Sequence, residues 1–223
     1  MSLILSIETT TTNCSVSLSK NGETLILKED YGQGYSHAER LHVYIDDVIK
    51  ESGHSLSDLD AVAVSKGPGS YTGLRIGVSA AKGLCFALNV PLISVSTLES
   101  LAHQVKESKG YIVPMLDARR MEVYAEVFNT EYNSERNIEA QIIDEESFKS
   151  YLEEDKVYFI GNGVEKTKTV ISHSNANFIE GKLPSANEMG HLAYNKYKKN
   201  DIEDVAYFEP YYLKDFVAIK PKN

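Results

Sequence analysis

The 223-residue chain has no Trp and only two Cys, Cys14 and Cys85, which lie far apart. A secreted disulfide scaffold uses more, so both read as buried free thiols in a reducing compartment. No apolar run reaches bilayer-spanning length, and residues 1–10 lack the basic start and apolar stretch of a signal peptide. The cytoplasm is therefore the expected location. An excess of basic residues is missing too: Lys and Arg number 23 against 32 Asp and Glu, for a net charge of -9. Such a field repels a polyanion at long range, so a partner is expected to supply any nucleic-acid contact.

The usual chemical signatures are equally scarce. No Gly-Lys-Ser/Thr follows the glycine-rich stretch, so the phosphate-reaching lysine of a P-loop is absent. No nucleophile elbow occurs. His37 and His42, five apart on one expected helix, sit about 140° apart around its axis and cannot chelate one metal. The other histidines are scattered, and no metal site is legible. The remaining composition is ordinary: 42% hydrophobic and 25% charged residues suit a globular core.

Period-2 patterning predicts strands at 3–8 and 14–19, then a tight turn at Asn21-Gly22 into a strand at 23–28. A helix follows over 36–52. Ser36 and Glu39 have capping-box spacing, and Ala38, Leu41, Ile45, Val48 and Ile49 form one apolar stripe. A strand at 61–65 runs through the Gly67–Gly73 loop into an apolar helix ending near Asn89. A strand at 91–95 follows. Ser96 and Glu99 repeat the capping-box spacing and open a helix expected over 97–107. The topology then starts over: strands at 111–116, 121–128 and 138–143, a helix at 145–153, a strand at 157–160, a helix after Asn162-Gly163, a strand at 176–179 and a helix at 185–199. A repeated meander followed by α/β crossovers implies a two-lobed, actin-like mixed α/β fold, divided as 1–108 and 109–223.

The stretch Gly67-Pro68-Gly69-Ser70-Tyr71-Thr72-Gly73-Leu74-Arg75 leaves a strand and enters a helix, where backbone amides can cradle an anion. It serves equally well as a tight turn that lets the helix pack closely. Along that helix Gly73, Gly77 and Ala81 recur every four residues beside Ala80, a small-residue ridge permitting close approach. Apolar residues surround most of its circumference, so it meets either a second protein or the rest of its own chain on every side. Arg40 and Tyr44 flank the stripe of the first helix. Glu8, followed by Thr9, Thr10 and Thr11, could position a metal-bound water and phosphate oxygens, or could simply fill the hairpin. Asp117 stands at the mirrored place, but no glycine follows two residues later, which weakens a kinase reading.

Taken together, residues 4–11 with 14–16, Ser36 to Leu41, Gly67 to Arg75, Asp117-Ala118-Arg119, Glu122-Val123-Tyr124 and Pro210 to Leu213 resemble the TsaB (YeaZ) family of the bacterial tRNA threonylcarbamoyladenosine system. The resemblance implies a non-catalytic subunit that pairs with the transferase TsaD and engages the ATPase TsaE, touching tRNA only through the complex. It implies a homodimer when TsaD is absent, no cofactor of its own, and ATP or ADP at the complex interface. The partner surface it implies lies on the first two helices of the N-terminal lobe, at His37, Arg40, Leu41, Tyr44, Gly73, Gly77, Ala80 and Ala81. The family usually has Asp at the place of Glu8, and often Met-Gly at that of Arg120-Met121; both departures put nucleotide binding by this chain in doubt. The alternative reading is a stand-alone small-molecule kinase of the same fold. No nucleophile–base pair supports a peptidase.

Overall fold

The computed structural model describes residues 1–31 and 37–214. Its first sheet contains β1 (Leu3–Glu8), β2 (Cys14–Lys20), β3 (Glu23–Asp30), β4 (Ala61–Ser65) and β5 (Leu92–Val95), in the order β3-β2-β1-β4-β5. β1, β2 and β3 pair antiparallel, while β4 and β5 join parallel. The hairpin turn works because Asn21 (φ 52°) and Gly22 (φ 89°) both accept left-handed backbone. The second sheet contains β6 (Tyr111–Asp117), β7 (Glu122–Asn129), β8 (Ser134–Ile142), β9 (Val157–Ile160) and β10 (Ala176–Ile179). Read from its meander edge, its order is β8-β7-β6-β9-β10, the same topology again. This duplication is the two-lobed, actin-like architecture that the element order implied.

Helices α1 (His37–Ser52) and α2 (Tyr71–Leu88) cover one face of the first sheet. The stripe of α1 buries Leu41, Ile45, Val48 and Ile49 against β2 and β3. Each such side chain contributes about 1.5–3 kcal/mol. The expected cap Ser36 lies outside the described residues. The other face of that sheet is covered from far along the chain: Ala186, Met189, Leu192 and Ala193 of α6 (Ala186–Lys198) pack on Ile4, Ala63 and Ile93. Reciprocally, Leu98, Leu101 and Ala102 of α3 (Thr97–Ala102) join a core with Ile112, Phe128 and Ile160 of the second sheet. Each lobe thus lends its third helix to the other. The division at residue 108 separates the sheets, but it cuts across both of these cores.

Several boundaries differ from the sequence reading. α3 stops at Ala102, not near 107, because the chain turns there and buries Val105. α4 (Lys149–Glu154) begins four residues later than expected. Asp144 accepts from the amide of Glu146 and the hydroxyl of Ser147, making a local turn that competes with helix. β8 begins at Ser134, and α5 (Val164–Thr167) is a single turn.

Candidate functional site

A cleft of 870 Å³ opens between the lobes. Thr10, Thr11 and the start of α1 line one side, and the Pro68–Leu74 loop forms its base. Asp117, Arg119 and Asn162 approach from the second lobe. The segment Tyr211–Lys214 borders it, tied down by Tyr211 N–H to the Lys66 carbonyl (2.7 Å) and by Arg75 Nε to the Tyr212 hydroxyl (3.3 Å).

The polar groups of this cleft are largely satisfied by the chain itself. Ser70 N–H donates to the Thr10 carbonyl (2.7 Å), and the Ser70 hydroxyl accepts from Gly73 N–H (3.2 Å) as the N-cap of α2. The loop amides that could cradle an anion are thus partly spent on turning the chain and capping the helix. Glu8 is fully buried beneath the loop. Its Oε1 accepts from both the amide and the hydroxyl of Thr10, each at 2.5 Å, while Oε2 has no partner. Burial raises its pKa, against smaller opposing effects from the neighbouring Ser65, Thr10 and Thr9. A carboxyl buried in this way and held by Thr10 is poorly placed to hold a metal-bound water. In the second lobe Lys166 Nζ lies 2.6 Å from Asp117 and also donates to the carbonyls of Arg120 (2.9 Å) and Glu122 (2.5 Å). Arg119 (φ 72°) and Arg120 (φ 47°) take left-handed backbone where glycine would be free of strain. Among the described residues, no three His, Cys, Asp or Glu side chains cluster as a metal centre requires.

The residues expected to face a partner divide into two groups. Leu41 and Ala81 are fully buried, His37 is 2% exposed, and Gly73 and Gly77 are buried as well. His37 Nε2 donates to the Thr11 carbonyl (2.7 Å), and burial lowers its pKa. The small-residue ridge meets its own chain. A Cβ on Gly73 would fall 3.2 Å from the Thr9 carbonyl carbon and far inside contact distance of its oxygen. One on Gly77 would fall 3.5 Å from Thr9 Cβ. These five positions are therefore corrected: they seat α2 and α1 on the β1–β2 loop and the sheet, and do not form an outer face.

Arg40 is exposed and paired with Asp30, while Tyr44 and Ala80 are partly buried. The outer face of α2 is a different row: Thr72, Arg75, Ser79, Gly83, Phe86 and Ala87 recur at helical spacing and are exposed. Phe86 is 85% exposed, and Val43 on α1 is 54% exposed. Nothing lies within 4 Å of where a Gly83 side chain would begin. The sequence carried this signal in an aromatic residue three after a glycine, on the side opposite Gly73, Gly77 and Ala81.

Comparison with known proteins agrees with this architecture. Residues 33–222 match the family model described as TsaD, tRNA N6-adenosine threonylcarbamoyltransferase. The chain is 30% identical to the tRNA threonylcarbamoyladenosine biosynthesis protein TsaB of Haemophilus influenzae, over 97% of this chain and 95% of that protein. It is 31% identical to TsaB of Escherichia coli K12, over 97% and 96%. YeaZ from Pseudomonas aeruginosa superimposes with a TM-score of 0.84 at 27% identity, covering 96% of this chain and all of that one. With both lobes, the duplicated topology and nearly the full length in common, the chain belongs to the TsaB (YeaZ) family of tRNA threonylcarbamoyladenosine biosynthesis proteins.

Proposed function

We propose that this chain is the non-catalytic partner subunit of the threonylcarbamoyl-transfer complex, binding TsaD through the outer face of α1 and α2. The observation that carries the proposal is the row containing Gly83 and Phe86, with Val43 on the neighbouring helix. A large aromatic left 85% in water beside a bare glycine backbone suits close approach by a second helix. The interlobe cleft supports the same reading. Glu8 is held by Thr10 and Asp117 by Lys166, so the groups that would manage a nucleotide in an independent kinase are engaged within the chain. On this proposal the chain holds no nucleotide of its own, ATP or ADP sits at the complex interface, and TsaE and tRNA join through the assembled complex. The face that binds TsaD also forms a homodimer when TsaD is absent.

Size-exclusion chromatography with light scattering, on the chain alone and mixed with TsaD of the same organism, tests this directly. The expected result is a heterodimer that forms at the expense of any homodimer. Phe86→Asp should lose it, with the affinity reduced by 10-fold or more, about 1.4 kcal/mol or above. Because Phe86 is outside the core, thermal stability should be unchanged. Full threonylcarbamoyl transfer by the isolated chain, or undiminished TsaD binding by Phe86→Asp, would refute the proposal.

A further inference from the structure

A second cavity, of 380 Å³, shares Tyr211 with the cleft and is otherwise lined by different residues. It lies where Lys66 and Ser96 leave the carboxyl ends of the parallel strands β4 and β5, the edge at which open α/β sheets bind ligands. Glu126 and Phe128 of β7, with Ser134 and Ile138 of β8, close it from the second lobe. Its volume falls within the range of small-molecule sites, roughly 300–1,000 Å³.

Three half-buried charged side chains line this cavity: Lys66, Glu99 and Glu126. Among the described residues, none of the three belongs to an ion pair within 4 Å, and neither the Lys66 ammonium nor the Glu99 carboxylate takes part in a hydrogen bond. Glu126 accepts only from the Ser134 hydroxyl (2.8 Å). Glu99 is the telling case. Its spacing from Ser96 predicts a reciprocal capping box, and half of one forms: the Ser96 hydroxyl accepts from Glu99 N–H (3.4 Å). The carboxylate does not return to the cap and lines the cavity instead. Holding opposite charges around one space, partly desolvated and unpaired, costs free energy that a ligand bridging them would recover.

We infer that this cavity binds a free α-amino acid, its ammonium between Glu99 and Glu126, its carboxylate on Lys66, and its side chain against Phe128, Tyr132 and Ile138. A bare metal dication fits less well, because the Lys66 ammonium opposes it. Burial raises the pKa of both carboxyls; the Glu99 charge raises Glu126 further, while Lys66 lowers both, as Lys196 does Glu99. This inference does not depend on the partner role proposed above.

Isothermal titration calorimetry of the full chain against the L-amino acids one by one, with methylammonium and acetate as half-ligands, tests it. At least one amino acid should saturate with a Kd below about 1 mM, and both half-ligands should bind at least 10-fold more weakly. Lys66→Met and Glu126→Gln should each weaken binding 10-fold or more, and circular dichroism checks that the variants fold. Amide NMR shifts on the unsubstituted chain should centre on residues 66, 99, 126 and 132. Absence of saturation by every amino acid would overturn the inference. Methylammonium binding as tightly as the amino acids, or shifts centred elsewhere, would also overturn it.

Discussion

Gly73→Ala should be one of the most disruptive single-carbon additions in the protein. The added Cβ would lie 3.2 Å from the Thr9 carbonyl carbon and far inside contact distance of its oxygen. That oxygen is backbone, so no rotamer change clears it. The same pair of residues shares the buried hydrogen bond from Thr9 Oγ1 to the Gly73 carbonyl (2.7 Å). Overpacking costs about 1–3 kcal/mol and the strained hydrogen bond about 0.5–1.5 kcal/mol, against a helix-propensity gain of at most about 1 kcal/mol. The net expectation is a loss of about 0.5–4.5 kcal/mol, lowering Tm by roughly 1–18 °C for a chain of this size. Gly83→Ala is the control: on the same helix, with open space where its Cβ would go, it should gain up to about 1 kcal/mol. Urea and thermal denaturation of both variants make the comparison. If Gly73→Ala proved as stable as Gly83→Ala, the reading of the ridge as an internal seat for α2 would be wrong.

Glu8→Gln should change how stability depends on pH. The folded-state pKa of Glu8 is raised above 4.5 by burial, so its contribution is fully present below 4.5 and is lost as pH rises through the folded value. Gln cannot ionise, so the variant should gain on the parent as pH climbs above 4.5; urea midpoints that stay parallel from pH 4 to 8 would contradict this. Burial pushes the thiols of Cys14 and Cys85 up to about 11, leaving about one thiolate in a thousand at pH 8. Both should resist Ellman's reagent until denaturant is added, and rapid labelling of the native chain would count against their burial. A fragment ending at residue 108 should fail to unfold cooperatively, because it exposes Ile4, Ala63 and Ile93, which α6 covers in the whole chain. A sharp, reversible melt by that fragment would show that the lobe stands alone.

Much of the strand order was legible because it rests on short-range signals. Asn21-Gly22 marks its hairpin through left-handed backbone, and the α1 stripe from Leu41 to Ile49 marks its buried face at period 3.6. The helix ends near 102 and 149 were less legible, since Val105 burial and the Asp144 turn compete with helix propensity through local and tertiary contacts. The small-residue ridge was visible, but its direction was not. Gly73 and Gly77 announce close approach without saying what approaches, and the answer, Thr9, lies more than sixty residues away in sequence. The pairing of Asp117 with Lys166 spans 49 residues and has no local signature. Nor does the turning of Glu99 away from its helix cap, where the sequence spacing alone predicts the opposite.

The exchange of third helices bears on the proposed partner role. In each lobe the meander and first crossovers make one sheet, but the layer completing that sheet comes from the other half: α6 on the first, α3 on the second. The last described residues add a further tie. Glu203 bridges to Leu92 at the edge of the first sheet, Lys82 Nζ donates to the carbonyls of Ala206 and Phe208, and Lys214 pairs with Glu122 on the second sheet. A hinge between lobes must work against all of these contacts, whereas a cleft that closes on a nucleotide needs the lobes to move. The buried Glu8 of the first lobe, held by Thr10, and the lysine-bound Asp117 of the second point the same way. On the proposed partner role, lobes tied in this way would present the outer face of α1 and α2 with less of the ordering cost that association must overcome.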